Sequence, residues 1–117
     1  MGEEANLRVV EAMWLAWNEK RLRDATDSIA KDAHFRHLSL GIELQGREAI
    51  LNLMEHSLAA VPERSSAVLH LHAADDYVIT ENHYAGVLAE SGEPIVKDIC
   101  YILRLEDGLI VDWREYG

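Results

Sequence analysis

The 117-residue sequence has one cysteine, two prolines and one phenylalanine, and few basic residues: Lys and Arg total 11 against 21 Asp and Glu, a net charge of −10. Each scarcity excludes something. Cys100 alone cannot form an internal disulfide, which fits a reducing compartment, so a cytoplasmic location is expected. Cys100 lies in an apolar run continuing into Tyr101, Ile102 and Leu103, so it reads as a buried inert thiol rather than a nucleophile. A surface this acidic repels phosphates, so neither nucleic acid nor an anionic membrane is an expected partner. No stretch approaches the roughly 20 apolar residues of a membrane helix. The opening segment MGEEANLRVVEAM is acidic and lacks the basic-then-apolar layout of a leader peptide. No repeat, low-complexity tract or linker interrupts the chain. Residues 1–117 therefore read as one domain, which buries about two-thirds of its unfolded surface and has room for a core and a small pocket.

What is present is helices first and strands after. Leu7, Val10, Trp14 and Trp17 recur at helical spacing and predict a helix over residues 3–20. Asp24–Ala30 reads as a short second helix with Ala25 and Ile29 facing inward, and residues 33–38 as a short strand centred on Phe35. Gly41 and Gly46 bracket an irregular loop. Ile50, Leu53, Met54, Ser57, Leu58 and Val61 predict a third helix over residues 47–60, ended by Pro62. The period then falls to two, and residues 66–74, 77–89, 95–105 and 109–116 predict four strands. Their short connections predict an antiparallel meander. Three helices on one face of a curved antiparallel sheet make an α+β cone, whose open end is a pocket.

The segments GREAI at Gly46–Ile50, TENHYAG at Thr80–Gly86 and EDGLIVDWREY at Glu106–Tyr116, in this order of elements, resemble the nuclear transport factor two-like superfamily. Within it, the chain is most similar to the SnoaL-like polyketide cyclases and the limonene-1,2-epoxide hydrolase group, and more distantly to the ketosteroid isomerases. The resemblance implies a cystatin-like topology, a small apolar ligand and no cofactor. It does not imply one reaction, because the scaffold hosts many. In the epoxide hydrolase group a catalytic carboxylate lies two residues after the Trp of the last strand, which is Glu115 here. That group's Arg and second Asp fall on Asn82 and Tyr84, and its water-holding Tyr and Asn on Phe35 and His37. Against the isomerases, Asp32–His37 places His37 on the base position, Tyr101 on the enolate donor, and Met13, Trp14 or Trp17 nearest the helix-one tyrosine. Neutral His is a competent base and a dry Tyr hydroxyl a competent donor.

Strand parity directs His37, Asn82, Tyr84, Tyr101 and Glu115 into one cone, walled by Trp14, Trp17, Phe35, Met54, Leu58 and Trp113. The expected function is acid/base chemistry, isomerisation or cyclisation next to a carbonyl. Epoxide hydrolysis and ligand binding without turnover are the alternatives. Other readings of the same residues stay open: His37 as a hydrogen-bonded core residue, Glu115 as an arginine partner, Asn82 and Tyr84 as each other's partners, the tryptophans as core. His70 and His72 point the same way on one strand, but no further ligand stands at a metal-site spacing, so no metal is expected. His83, Asp98, Cys100 and Arg104 should face away from the cone. Ile79, Ala85, Val87, Cys100, Ile102 and Ile110 would then form an apolar outer face, which predicts a two-fold homodimer.

Overall fold

The computed structural model describes residues 2–117. Helix α1 spans Glu3–Asn18, with Glu3 and Glu4 in its first turn, where the macrodipole favours acids. Val10, Met13 and Trp14 are buried. The helix ends two residues before the predicted boundary, because Lys20 adopts a left-handed conformation, φ 65°. Asn18 is held by two bonds to another part of the chain: its Nδ2 donates to Ser66 O (3.0 Å) and its Oδ1 accepts from Ser66 N (2.8 Å).

Helix α2 is Leu22–Thr26, shorter and earlier than the predicted 24–30. Ala25 and Ile29 are both fully buried as expected, but Ile29 already belongs to strand β1, Ile29–His37. The segment 39–46 is not an irregular loop throughout. Ile42–Gln45 forms strand β2, antiparallel to β1 with His37 opposite Ile42. Gly41 (φ 68°) makes the turn between them and Gly46 (φ 98°) starts α3. Helix α3, Arg47–Ala60, buries Ile50, Leu51 and Met54.

The meander follows as strands β3 (Ser65–Ala74), β4 (Tyr77–Val87), β5 (Pro94–Glu106) and β6 (Leu109–Tyr116). Asp107 and Gly108 turn β5 into β6, both at positive φ, the conformation that tight hairpins favour. The six strands run in the order β2-β1-β6-β5-β4-β3. All neighbours are antiparallel except β1 and β6, which run parallel with Phe35 opposite Trp113 and His37 opposite Glu115. The helices pack on the inner face of this sheet.

The β5–β6 register shifts between Arg104 and Leu105: Arg104 pairs with Asp112 while Leu105 pairs with Ile110. Val111 is therefore the extra residue of a bulge. The bulge corrects the assignment of Ile110 to the outer face. Ile110 is fully buried in the core, because parity inverts across Val111. Among the described residues, no helix is long and apolar enough to cross a membrane.

Candidate functional site

Between the helices and the sheet lies a cavity of about 180 Å³. Two of the helices and the first hairpin contribute to its wall: Trp14 and Trp17 from α1, Phe35 and His37 from β1, Leu40 and Ile42 from the β1–β2 hairpin, and Ile50, Leu53, Met54 and Ser57 from α3. The sheet completes it with Tyr84 on β4, Ile95, Lys97 and Tyr101 on β5, and Trp113 and Glu115 on β6. The aromatic rings form one connected cluster. Trp14 lies 4.7 Å from Tyr101 and 5.9 Å from Trp113 between ring centroids, and Phe35 lies 5.6 Å from Trp113. Such tilted and edge-on pairs favour a rigid apolar wall.

The polar groups converge on Glu115. Strand β6 sits between β1 and β5, so Glu115 has His37 opposite on one side and Tyr101 on the other. His37 Nε2 is 3.0 Å from Glu115 Oε2, and Trp113 Nε1 donates to Glu115 Oε1 at 3.1 Å. His37 Nδ1 is 3.1 Å from Ser39 Oγ. Ser39 donates its only proton to the Gly117 oxygen at 2.8 Å. Toward His37 it can only accept, so His37 carries its proton on Nδ1. Nε2 then presents a lone pair to Glu115.

Burial raises the Glu115 pKa to about 7, although the Trp113 N–H and the Lys97 charge both favour the carboxylate. Burial, with Lys97 second, lowers that of His37. Both shifts favour the neutral forms. The two groups stand 3.0 Å apart, so their titrations are coupled and belong to the pair rather than to either residue. Burial holds the Tyr101 phenol well above its usual range, and nearby Glu115 reinforces it. Tyr84 is also raised by burial, against the opposing charge of Arg64. Both remain hydroxyl donors at neutral pH.

Of the residues singled out from sequence, His37, Tyr84, Tyr101, Glu115, Trp14, Trp17, Phe35, Met54 and Trp113 all meet at this cavity. Two are not among its lining residues. Asn82 is fully buried away from it, accepting from Thr80 Oγ1 and donating to Ser66 Oγ. Its inward parity holds, but its amide is consumed where β3 meets the end of α1, so it is structural. Leu58 is half-buried outside the lining; eight residues on from Ile50 is about 80° round the helix, beyond Met54. His83 lies on the outer face, paired with Asp98 at 2.8 Å. The His70 and His72 rings stack 6.2 Å apart, but among the described residues no group of three His, Cys, Asp or Glu could hold a metal.

Sequence reasoning missed Ser39, Lys97 and Ile42. Lys97 was reachable, since counting back by twos from Tyr101 gives Ile99, Lys97 and Ile95 on one face. Ile42 was hidden by the loop assignment. Nothing local marks Ser39, whose role depends on a contact 78 positions away.

A SnoaL-like domain model matches residues 10–113, and the chain belongs to that family, within the nuclear transport factor two-like superfamily. No curated protein matches the chain. Among solved structures it is similar to an LEH-like epoxide hydrolase of M. tuberculosis: 18% identity, TM-score 0.84, covering 97% of this chain and 83% of that one. It is also similar to AclR, a putative hydroxylase from Streptomyces galilaeus, at 19% identity and TM-score 0.85, covering 97% and 79%. A putative ketosteroid isomerase from Kribbella flavida matches at 16% identity and TM-score 0.79, covering 97% and 78%. At these identities the likeness establishes the cone fold and not the reaction.

The raised Glu115 pKa has a stability consequence. The group's stabilising contribution is full below its ordinary pKa of 4.5 and is lost as pH rises through about 7. Between pH 5 and 8, wild type should lose about 2–3 kcal/mol relative to Glu115→Gln, whose amide cannot ionise. Urea unfolding of both proteins at the two pH values measures this, and parallel behaviour contradicts the assignment.

Proposed function

We propose that the chain is an enzyme that moves a proton next to a carbonyl, isomerising or cyclising a small, mostly apolar substrate, with the His37–Glu115 pair as its base. The observation that carries this reading is the 3.0 Å contact between His37 Nε2 and Glu115 Oε2 in an aromatic cavity. A base works best when its pKa lies near the operating pH, and Glu115 lies at about 7. When the pair has lost its shared proton, it takes one from the carbon beside the carbonyl. The proton is then held between Oε2 and Nε2 and returned to another carbon, or it stays while the enolate closes a ring. Two donors are available for the oxyanion that forms. Tyr101 keeps its proton, and Trp14 Nε1–H is buried with no partner among the described residues. Donors fixed in a dry site stabilise developing charge without reorganisation.

Epoxide opening is the second reading. A Glu115 protonated near neutral pH is a suitable acid for an epoxide oxygen, with His37 activating water. Free, half-buried Cys100 supports a reducing, cytoplasmic setting. The outer sheet face supports a two-fold homodimer: Val87 and Val96 are 43% and 62% exposed, beside half-buried Ile79, Ala85, Cys100 and Ile102.

Proton exchange tests the chemistry. In D2O, wild type should exchange the α-hydrogens of an enolisable aryl ketone faster as pH rises through about 7. His37→Ala and Glu115→Gln should each slow exchange by about 10²–10⁴-fold. A diol released from an epoxide, without ketone exchange, selects the second reading. Binding with neither reaction leaves a ligand-binding module. For assembly, sedimentation at micromolar concentration should give twice the 13.2 kDa chain mass, and Val96→Glu should give the monomer. A monomeric wild type rejects the dimer.

A further inference from the structure

Among the described residues, Lys97 and Arg64 have no carboxylate within salt-bridge distance. Lys97 lines the cavity and stands opposite Tyr84 in the β4–β5 register, its Nζ 5.9 Å from the Tyr84 ring centroid. No carboxylate lies within salt-bridge distance of it among the described residues, although the chain has 21 acids for 11 bases. Its neighbour Asp98 points to the other face and pairs with His83. Arg64 is 5% exposed and stacks on Trp17, 3.8 Å from the ring centroid. Its Nη2 reaches Trp17 O at 3.4 Å, while Nε and Nη1 are buried without a partner among the described residues. A buried donor without an acceptor is costly, and a cation in that state favours any anion brought near it.

The other groups facing the cavity do not supply that anion. Helices α1 and α3 and strand β2 contribute no charge to the wall. Strand β1 offers His37, β4 offers Tyr84, and β5 offers Tyr101 besides Lys97. The one carboxylate, Glu115 on β6, lies against His37 Nε2 and accepts from Trp113. Burial raises its pKa to about 7, so below neutral pH it is largely uncharged. The cavity is thus apolar in its walls and positive at one place, inside a protein whose surface is strongly negative.

We propose that the natural substrate is a carboxylate carried on an aromatic or alicyclic body, anchored by the Lys97 ammonium with the Arg64 charge behind Trp17 reinforcing the site. This rests on the proposed function only in taking the same cavity as the ligand site. The anchor fixes one end of the molecule against β5, and the pair of Glu115 on β6 and His37 on β1 beyond it reaches its other functional group. It also selects against neutral molecules of the same shape, because a neutral ligand leaves Lys97 unpaired in a drier environment.

A matched pair of small probes tests the anchor. Cinnamate and cinnamamide differ in charge and hardly in shape. Trp14, Trp17 and Trp113 line the cavity, so their indole N–H resonances report binding of either compound. At pH 6, wild type should bind cinnamate about tenfold to a hundredfold more tightly than cinnamamide, the range for a hydrogen bond to a charged group. Lys97→Met should abolish the preference, weakening cinnamate and strengthening cinnamamide binding, while Lys97→Arg should keep it. Raising the pH to 8 should shrink the preference, because Glu115 then carries a competing negative charge. Equal affinities, or a preference that survives Lys97→Met, overturn the anchor and leave the proton-transfer reading standing. If neither compound moves an indole resonance, the cavity is not the ligand site, and both readings fall together.

Discussion

The parallel pairing of β1 with β6 is the constraint on which the site depends. Every other strand contact is antiparallel, and a meander alone would leave Glu115 on an edge strand. By adding β1 beside β6, the chain places His37 against Glu115 and Phe35 against Trp113. The same register thus supplies both the imidazole partner and the aromatic wall that dries it. Burial of Glu115 follows, and with it the upward shift of its pKa. The strand order is therefore part of the chemistry: β6 lies centrally, with a base candidate on one flank and a phenol on the other.

Much of this was legible in the sequence because burial leaves a periodic trace. The stripe Leu7, Val10, Trp14, Trp17 and the stripe of α3 require a buried helix face, and both helices are where the spacing puts them. The last strands alternate, so Trp113, Glu115, Tyr101 and Tyr84 could be assigned to one face. The illegible parts are those fixed by contacts distant in sequence. Whether Ile29 ends a helix or begins a strand is decided by its pairing with Ile110, which no local pattern reports. Strand β2 has only four residues and exists because β1 is there to pair with it. The bulge at Val111 inverts parity for Ile110 with no glycine to announce it. Asn82 has the right parity for the cavity but the wrong position along it, and alternation carries no information on depth.

The site is also legible as a set of departures from the family's better-known sites. The resemblance puts Glu115 on the position of the carboxylate after the last-strand Trp. The same resemblance puts the epoxide hydrolase group's Arg and second Asp on Asn82, whose amide is committed to Ser66, and on Tyr84, a phenol. What stands in the cavity is one carboxyl group and one imidazole 3.0 Å apart, with Ser39 against the imidazole Nδ1. In the proposed function such a pair serves as the base near neutral pH without a second carboxylate. The fold supplies position and dryness; the chemistry belongs to these particular side chains.

The shared proton is the central claim, and nitrogen and carbon NMR of the resting protein tests it most directly. With His37 labelled at its ring nitrogens and Glu115 at its carboxyl carbon, the spectra read protonation at both atoms of the pair as pH is varied. The account predicts a His37 protonated at Nδ1 and not at Nε2 near neutral pH. It also predicts a Glu115 carboxyl that titrates near 7, with the His37 resonances moving in the same transition. A Glu115 that titrates at its ordinary 4.5, or a neutral His37 protonated at Nε2, would contradict it.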